Sequence, residues 1–349
     1  MPYVRPIIAN ATGHIPSPYL PPDTNIIKLN SNENPYPPSP RALHSLKTID
    51  GEWLRRYPDP YAQEFCTVAA EILGVPKNWI IVGNGCDDLL AMLCRACIDP
   101  DRPLIYPTPT YGLYPTLAEL CGARVIAIPY PLQQTLPLHQ IQAAHGALTF
   151  IASPNSPSGQ QIPRAELQQL AEIVNGVLVI DEAYVDFAEE SALSLVQTYD
   201  HVIVLRTLSK GYSLAGLRFG FGIAQPQLLS ELFKVKDSYG VDAISTKVAA
   251  AAMADQTYKN SCISHIKTDR QQLIKDLRTL GFQVQPSQGN FILIAHPEAK
   301  RLHDQLKTKN IWVRHYPQPS LENKLRITIG LPAQNKRLLQ TLKTLLQDF

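Results

Sequence analysis

Residues 177–210 read VLVIDEAYVDFAEESALSLVQTYDHVIVLRTLSK. Two unbroken apolar runs, 177–180 and 202–205, each break off into a polar cluster: Asp181-Glu182-Ala183-Tyr184 after the first, Arg206-Thr207-Leu208-Ser209-Lys210 after the second. An apolar run without polar alternation suits a strand covered on both faces. Working outward, candidate strands fall at 79–82, 103–106, 124–128, 148–152 and 219–223. Helical stretches lie between them, for example at 87–98, 111–120 and 164–174. The last follows Pro163 and carries Glu166 in its first turn, as a helix start does. Alternating strand and helix predicts an α/β domain with a mainly parallel sheet.

Three segments emerge from this pattern. Residues 1–40, rich in Pro, Asn and Ser, read as an N-terminal arm laid over a surface. Residues 41–240 form the large α/β domain. Residues 241–349 read as a smaller α+β domain. It would hold helices at 246–254, 261–280 and 298–309, strands at 282–285, 290–294, 312–314 and 325–329, and a last helix from 335. No internal repeat or low-complexity tract interrupts the chain.

Composition narrows the function. A length of 349 residues suits about two domains. The net charge of +2, with 45% hydrophobic residues, argues against a nucleic-acid binder and against disorder. No apolar run approaches the roughly 18 residues of a membrane span, and the N-terminus lacks the charged and apolar regions of a signal peptide. Six cysteines without regular spacing read as reduced, cytoplasmic thiols. Cys94 and Cys97 form one C-x-x-C with no second pair, so no metal is expected.

Familiar motifs fail. Gly83-Asn84-Gly85 lacks the third glycine of a dinucleotide fingerprint, no phosphate-binding P-loop or HExxH occurs, and Gly211–Leu214 is followed by Ala215 where a nucleophile elbow needs glycine. What remains is a set of strand ends. In an open parallel sheet, ligands bind beyond the carboxyl ends of the strands. If the strands at 148–152, 177–180 and 202–205 lie side by side, Asn155, Asp181, Tyr184 and Lys210 face one crevice. Singly, each reads as a cap or a surface group. Together they suit pyridoxal phosphate chemistry. The lysine amine would form a Schiff base and then shuttle a proton. The buried carboxylate would keep the pyridine nitrogen protonated. The phenol and amide would hydrogen-bond the ring oxygen.

The cofactor phosphate needs donors. Gly85-Cys86-Asp87 turns into a helix, whose N-terminus is an anion site. Ser209 adjoins Lys210, and Arg218 follows eight residues later. Tyr111, after a strand, is placed to stack on the pyridine, although alone it reads as packing.

At this point the string Thr207–Arg218 resembles the cofactor-lysine signature of the fold type I aminotransferases, and within them the histidinol-phosphate aminotransferase family. Stretches at 29–36, 56–59, 83–88, 109–111, 153–155, 181–184, 290–291 and 325–330 extend the resemblance over almost the whole chain. It implies Lys210 as the Schiff-base lysine, Asp181 on the pyridine nitrogen, Tyr184 and Asn155 on the phenolate oxygen, and Tyr111 stacked. It implies Gly85, Cys86, Asp87, Ser209 and Arg218 around the phosphate of pyridoxal 5'-phosphate. Tyr57 would reach the phosphate of a partner subunit, so a homodimer is implied. Tyr19, Arg314 and Arg326 would bind substrate. The activity implied is amino-group transfer between histidinol phosphate and 2-oxoglutarate or glutamate, by a ping-pong route in histidine biosynthesis. The sequence departs from the family at Gly211, where alanine is usual, at Ser156 and Ser158, and at Gly240. Two rivals share the fold: an aromatic-amino-acid aminotransferase, and a threonine-phosphate decarboxylase-like lyase, whose N-terminal His-Gly-Gly is missing from Gly13-His14-Ile15. A cofactor-fold regulatory module is a third reading. It would come with a DNA-binding domain, for which 349 residues leave no room.

Overall fold

The computed structural model describes residues 3–11, 13, 19–21, 24–132 and 134–348. Thirteen strands appear among them: β1 (Ile27–Lys28), β2 (Ile80–Gly83), β3 (Leu104–Thr108), β4 (Val125–Pro129), β5 (Leu148–Ala152), β6 (Val177–Asp181), β7 (Val202–Thr207), β8 (Gly220–Ile223), β9 (Gln283–Val284), β10 (Phe291–Ala295), β11 (Ile311–Trp312), β12 (Arg314–His315) and β13 (Lys324–Thr328). Seven form one sheet in the order β2-β8-β7-β6-β5-β3-β4. Only β8 runs against its neighbours; the β3, β4, β5, β6 and β7 pairings are parallel. This is the α/β, mainly parallel sheet that the strand and helix alternation predicts.

The unbroken apolar runs are explained by where alternate side chains go. Leu178 and Ile180 of β6, with Val202 and Val204 of β7, join one buried cluster. Val179, Ile203 and Leu205 join a second cluster on the opposite face. Strand geometry sends successive residues to opposite faces, and here both faces are covered by helices. Helix Cys86–Cys97 buries Leu89, Leu90 and Leu93 in the second cluster. Helix Arg164–Ile173 buries Leu167 and Leu170 in the first.

A four-stranded antiparallel sheet, β12-β13-β10-β9, forms the smaller unit. Ile292 and Ile294 of β10 and Leu325 and Ile327 of β13 enter a third cluster with helices Gln256–Thr279, Ala299–Thr308 and Pro332–Leu345. By the same two-residue period, Phe291, Arg326 and Thr328 occupy the other face of that sheet.

Packing crosses both expected segment boundaries. Helix Ala243–Met253, assigned from sequence to the small domain, packs its alanines on helices Pro40–Leu46 and Gln63–Leu73. Val248, Ala249, Ala250 and Met253 lie in the first cluster of the large domain. Small side chains permit that close approach, and a composition change at 240 does not reveal it. At the other end, β1 pairs with β11 in parallel and Leu29 enters the third cluster, so the end of the arm belongs to the small unit. The strand expected at 312–314 is two short strands separated at Val313.

Candidate active site

Strands β5, β6 and β7 are adjacent, with Asp181 in register opposite Ala152 on one side and Leu205 on the other. Their carboxyl ends therefore bring Asn155, Asp181, Tyr184 and Lys210 to one region, as the sequence predicts. Asp181 ends β6 and is 6% exposed. Tyr114 Oη donates to its Oδ2 at 2.8 Å, and the Ala183 N–H donates to its Oδ1 at 3.0 Å. Burial pushes the Asp181 carboxyl up to about 6, and those two donors pull it back. At pH 7 the group is a carboxylate in an apolar strand end, with lone pairs left for one more donor.

Lys210 Nζ donates to Ser31 O at 3.2 Å and lies 5.8 Å from the centre of the Tyr184 ring. Burial, then the Arg326 charge, lowers its amine to about 8. A lysine with that value is neutral in a useful fraction near physiological pH, as a nucleophile requires. Tyr184 packs edge-on against Phe291 and accepts from Asn32 Nδ2 at 2.9 Å.

The phosphate cradle is present as space and donors. Gly85, at φ +82°, precedes helix Cys86–Cys97, and no side chain caps that helix start. The first-turn amides of Cys86 and Asp87 thus lack an intrahelical acceptor. A Cβ on Gly85 would lie 2.8 Å from Arg218 Nη2, and one on Gly220 would lie 2.5 Å from Cys86 N. Both glycines keep that concavity open. Arg218 sits in the left-handed region (φ 54°) and reaches Asp87 Oδ2 at 3.4 Å and Ser209 Oγ at 3.5 Å. Those long, half-exposed contacts hold the guanidinium weakly, leaving it available to an anion. A phosphate fits this donor set. The Cys86 thiol donates to Arg206 O, and burial raises its pKa. Cys86 therefore contributes its amide rather than a thiolate.

Tyr111 is fixed by its Oη donating to Asp87 Oδ1 at 3.1 Å and by an edge contact with Tyr114. Asn155 stands at its expected strand end, but its amide is committed to the loops around Tyr111. Its Nδ2 donates to Pro109 O and Ser158 Oγ, each at 3.0 Å, and its Oδ1 accepts from Thr110 Oγ1. Arg326 Nη1 donates to Ser156 Oγ and Nη2 to Asn30 O, while its buried Nε has no partner. Arg314 of β12 lies in register opposite Arg326 of β13. Tyr316 lies beneath both guanidiniums, 5.7 Å from the first and 5.9 Å from the second. Tyr19 and Tyr57 are not brought to this region: they are 83% and 80% exposed, and Tyr57 stacks on Tyr239.

Sequence reading missed Tyr114, Asn32, Ser31 and Tyr316. Tyr114 has a local signal, since it is one helical turn from Tyr111. Asn32 and Ser31 are separated from their partners by 152 and 179 positions, beyond any local pattern.

The departure at Gly211 has a physical reason. A Cβ there would lie 2.2 Å from Asp186 Oδ2, and Asp186 is held by Lys259 Nζ at 3.2 Å. Gly211→Ala is expected to cost about 1–3 kcal/mol of stability by overpacking. Combined with Asp186→Ala, the loss should be smaller than the sum of the single losses. Urea unfolding of the four chains measures this; additive losses would mean that Asp186 yields freely.

The family model described as "Aminotransferase class I and II" matches residues 24–342. The chain belongs to that aminotransferase family. This aminotransferase is 56% identical over 348 residues to "Histidinol-phosphate aminotransferase 1" of a Nostoc species, covering 99% of each chain. It is 41% identical to the histidinol-phosphate aminotransferase of Citrifermentans bemidjiense, covering 98% of each. Among solved structures, the histidinol-phosphate aminotransferase of Sinorhizobium meliloti in complex with pyridoxal-5'-phosphate superposes with a TM-score of 0.90 at 25% identity. That match covers 99% of this chain and 98% of the other. Among the described residues no helix is long and apolar enough to cross a membrane, and no cluster of His, Cys, Asp or Glu suits a metal ion.

Proposed function

We propose that this chain transfers an amino group between L-histidinol phosphate and 2-oxoglutarate with pyridoxal 5'-phosphate, as a step of histidine biosynthesis. The observation that carries the substrate is the pair Arg314 and Arg326, in register on neighbouring strands. Like charges directly opposite in a sheet are destabilising, so the pair calls for an anion with acceptors for both. A phosphate has them, and two guanidinium forks suit it better than one. The full-length relatives that bear the same name support this reading.

Bound, the cofactor supplies an aldehyde that takes up an amine and a ring that draws electrons from the bond being broken. Lys210 offers its amine and then holds or moves a proton at Nζ. Asp181 keeps a negative charge in a site that excludes water, with Tyr114 and Ala183 fixing its orientation. Tyr184 donates from its phenol. Gly85, Cys86, Asp87, Ser209 and Arg218 would hold the phosphate, and Tyr111 would cover the ring. Asn155 would reach the ring oxygen only by giving up one of its loop bonds. Arg326 takes the anion common to both donors, and Arg314 adds to it for the phosphate.

A second copy of the chain completes the enzyme in this proposal. Leu43, Leu46, Trp53, Leu54, Tyr57, Tyr61 and Tyr239 expose apolar surface, concentrated at 43–61, and such patches mark interfaces. Tyr57, and Tyr19 with it, would then serve the partner's site. Six free cysteines suit a cytoplasmic home.

The test follows bleaching of the cofactor's visible band by single donors. Histidinol phosphate is expected to react about tenfold or more faster than phenylalanine, the difference one charged hydrogen bond provides. A faster reaction with phenylalanine would favour the aromatic aminotransferase. Carbon dioxide released from threonine phosphate would favour the lyase.

A further inference from the structure

Residues 29–34 run between the small unit and the strand ends of the large sheet, and Asn32 is the centre of that strap. It is 1% exposed and sits in the left-handed region at φ 55°. Its N–H donates to Thr328 Oγ1 at 2.9 Å, and its carbonyl accepts from Asn290 Nδ2 at 2.9 Å. Thr328 Oγ1, already an acceptor, gives its own proton to Asn32 Oδ1 at 3.1 Å. Nδ2 is thereby aimed at Tyr184 Oη, 2.9 Å away.

Ser156 adds to the same arrangement. Its oxygen accepts from Arg326 Nη1, so the residue that binds this guanidinium stands on the same side of the site. Asn32 Nδ2 thus occupies a lone pair of Tyr184 Oη and leaves the phenol proton free to be given elsewhere.

We infer that Asn32 is a positioning residue that turns Tyr184 into a hydrogen-bond donor toward the cofactor, acting through the Tyr184 oxygen and not by touching the reacting atoms. The inference rests on the cofactor reading above. It also gives Thr328 and Asn290 a part in the site. Both belong to the small unit, so its seating sets the direction of a hydrogen bond in the large one.

The backbone supplies a clean variant. Glycine occupies the left-handed region without steric cost, so Asn32→Gly removes the amide without asking the strap to move. In the holoenzyme, losing a donor to the ring oxygen raises the pH midpoint of the cofactor's visible band, because donors favour the deprotonated form. Asn32→Gly is expected to raise that midpoint by about 0.5–1 unit. Added to Tyr184→Phe, the same change should shift it no further. Asn32→Asp cannot donate when ionised, so it draws the Tyr184 proton to itself, and the midpoint should rise at least as far. In the cofactor-free chain, Asn32→Gly should lower the Tm by about 1–2 °C more when Tyr184 is present than in the Tyr184→Phe background. Equal band shifts with and without Tyr184, or equal Tm losses in both backgrounds, would show that Asn32 only anchors the strap. If no visible band forms with wild-type chain, the cofactor reading has failed, and the melting comparison still decides the coupling.

Discussion

Asp181→Asn is expected to keep the fold and to lose about 100-fold or more of the transamination rate. The carboxylate ends β6 at 6% exposure, where its charge is supported by two hydrogen bonds and by little solvent. In the proposed holoenzyme its partner would be the protonated ring nitrogen. Removing one member of a buried charge pair costs roughly 3–5 kcal/mol, and 1.36 kcal/mol is tenfold in rate. Two orders of magnitude follow if about 2.7 kcal/mol of that cost reaches the barrier. The fold is checked on the cofactor-free chain, where the sign of the charge effect reverses. The Asp181 pKa is raised by folding from 3.8 to about 6, so the folded state binds the proton more tightly than the unfolded. Stability contributed by the protonated form is therefore present below about pH 4 and is lost as pH rises through 6. Asp181→Asn removes that loss. Its cofactor-free Tm should fall less between pH 4 and 7 than that of the wild type. One hydrogen bond is surrendered, since an amide offers one oxygen where Tyr114 and Ala183 both donate. An Asp181→Asn enzyme within a few-fold of wild type would reduce Asp181 to a strand-end cap.

The strands that carry this chemistry were legible because each obeys a local rule. β5, β6 and β7 are short apolar runs followed by polar clusters, and their order in the sheet follows from parallel neighbours. Lys210 and Asp181 stand at those ends for that reason. What escaped the sequence depends on pairings made by the fold. Tyr114 meets Asp181 across 67 positions, and Asn32 meets Thr328 across 296. The strap that carries Asn32 is anchored by two strand residues and Leu29, too little for a periodic signal. Helix Ala243–Met253 read as part of the small unit because its alanines say nothing of which surface they pack on. Tyr19 and Tyr57 were expected from resemblance alone, and a single chain gives them nothing to touch at this site. Asn155 was expected on the ring oxygen, yet three loop bonds hold its amide.

Substrate choice is the point at which two residues of the small sheet should separate. Arg326→Ala is expected to impair the half-reactions of both histidinol phosphate and glutamate, and Arg314→Ala that of histidinol phosphate alone. Arg326 is the deeper of the two in its bonding. It is tied to Ser156 and Asn30, and its charge is the second cause of the lowered Lys210 pKa. Its loss removes an anion ligand and loosens the strap together. Arg326→Lys separates these effects, since it keeps the charge and gives up the fork. Arg314 has a ring contact with Tyr316 and its register position opposite Arg326. Removing it relieves a like-charge pair, so the protein should be no less stable without it. The cost should appear only with a ligand that has oxygens for both forks. Histidinol phosphate carries a phosphate and no α-carboxylate, whereas glutamate brings carboxylates that one fork can satisfy. A charged hydrogen bond is worth roughly 1.5–3 kcal/mol, which converts to a selective loss of about 10- to 100-fold. Single-turnover bleaching of the visible band, with each donor over a range of concentrations, separates binding from the chemical step. The loss for Arg314→Ala should lie in the concentration dependence for histidinol phosphate. Equal losses with both donors would assign Arg314 to the surface, leaving Arg326 to bind a carboxylate alone, and the phosphate would cease to define the substrate.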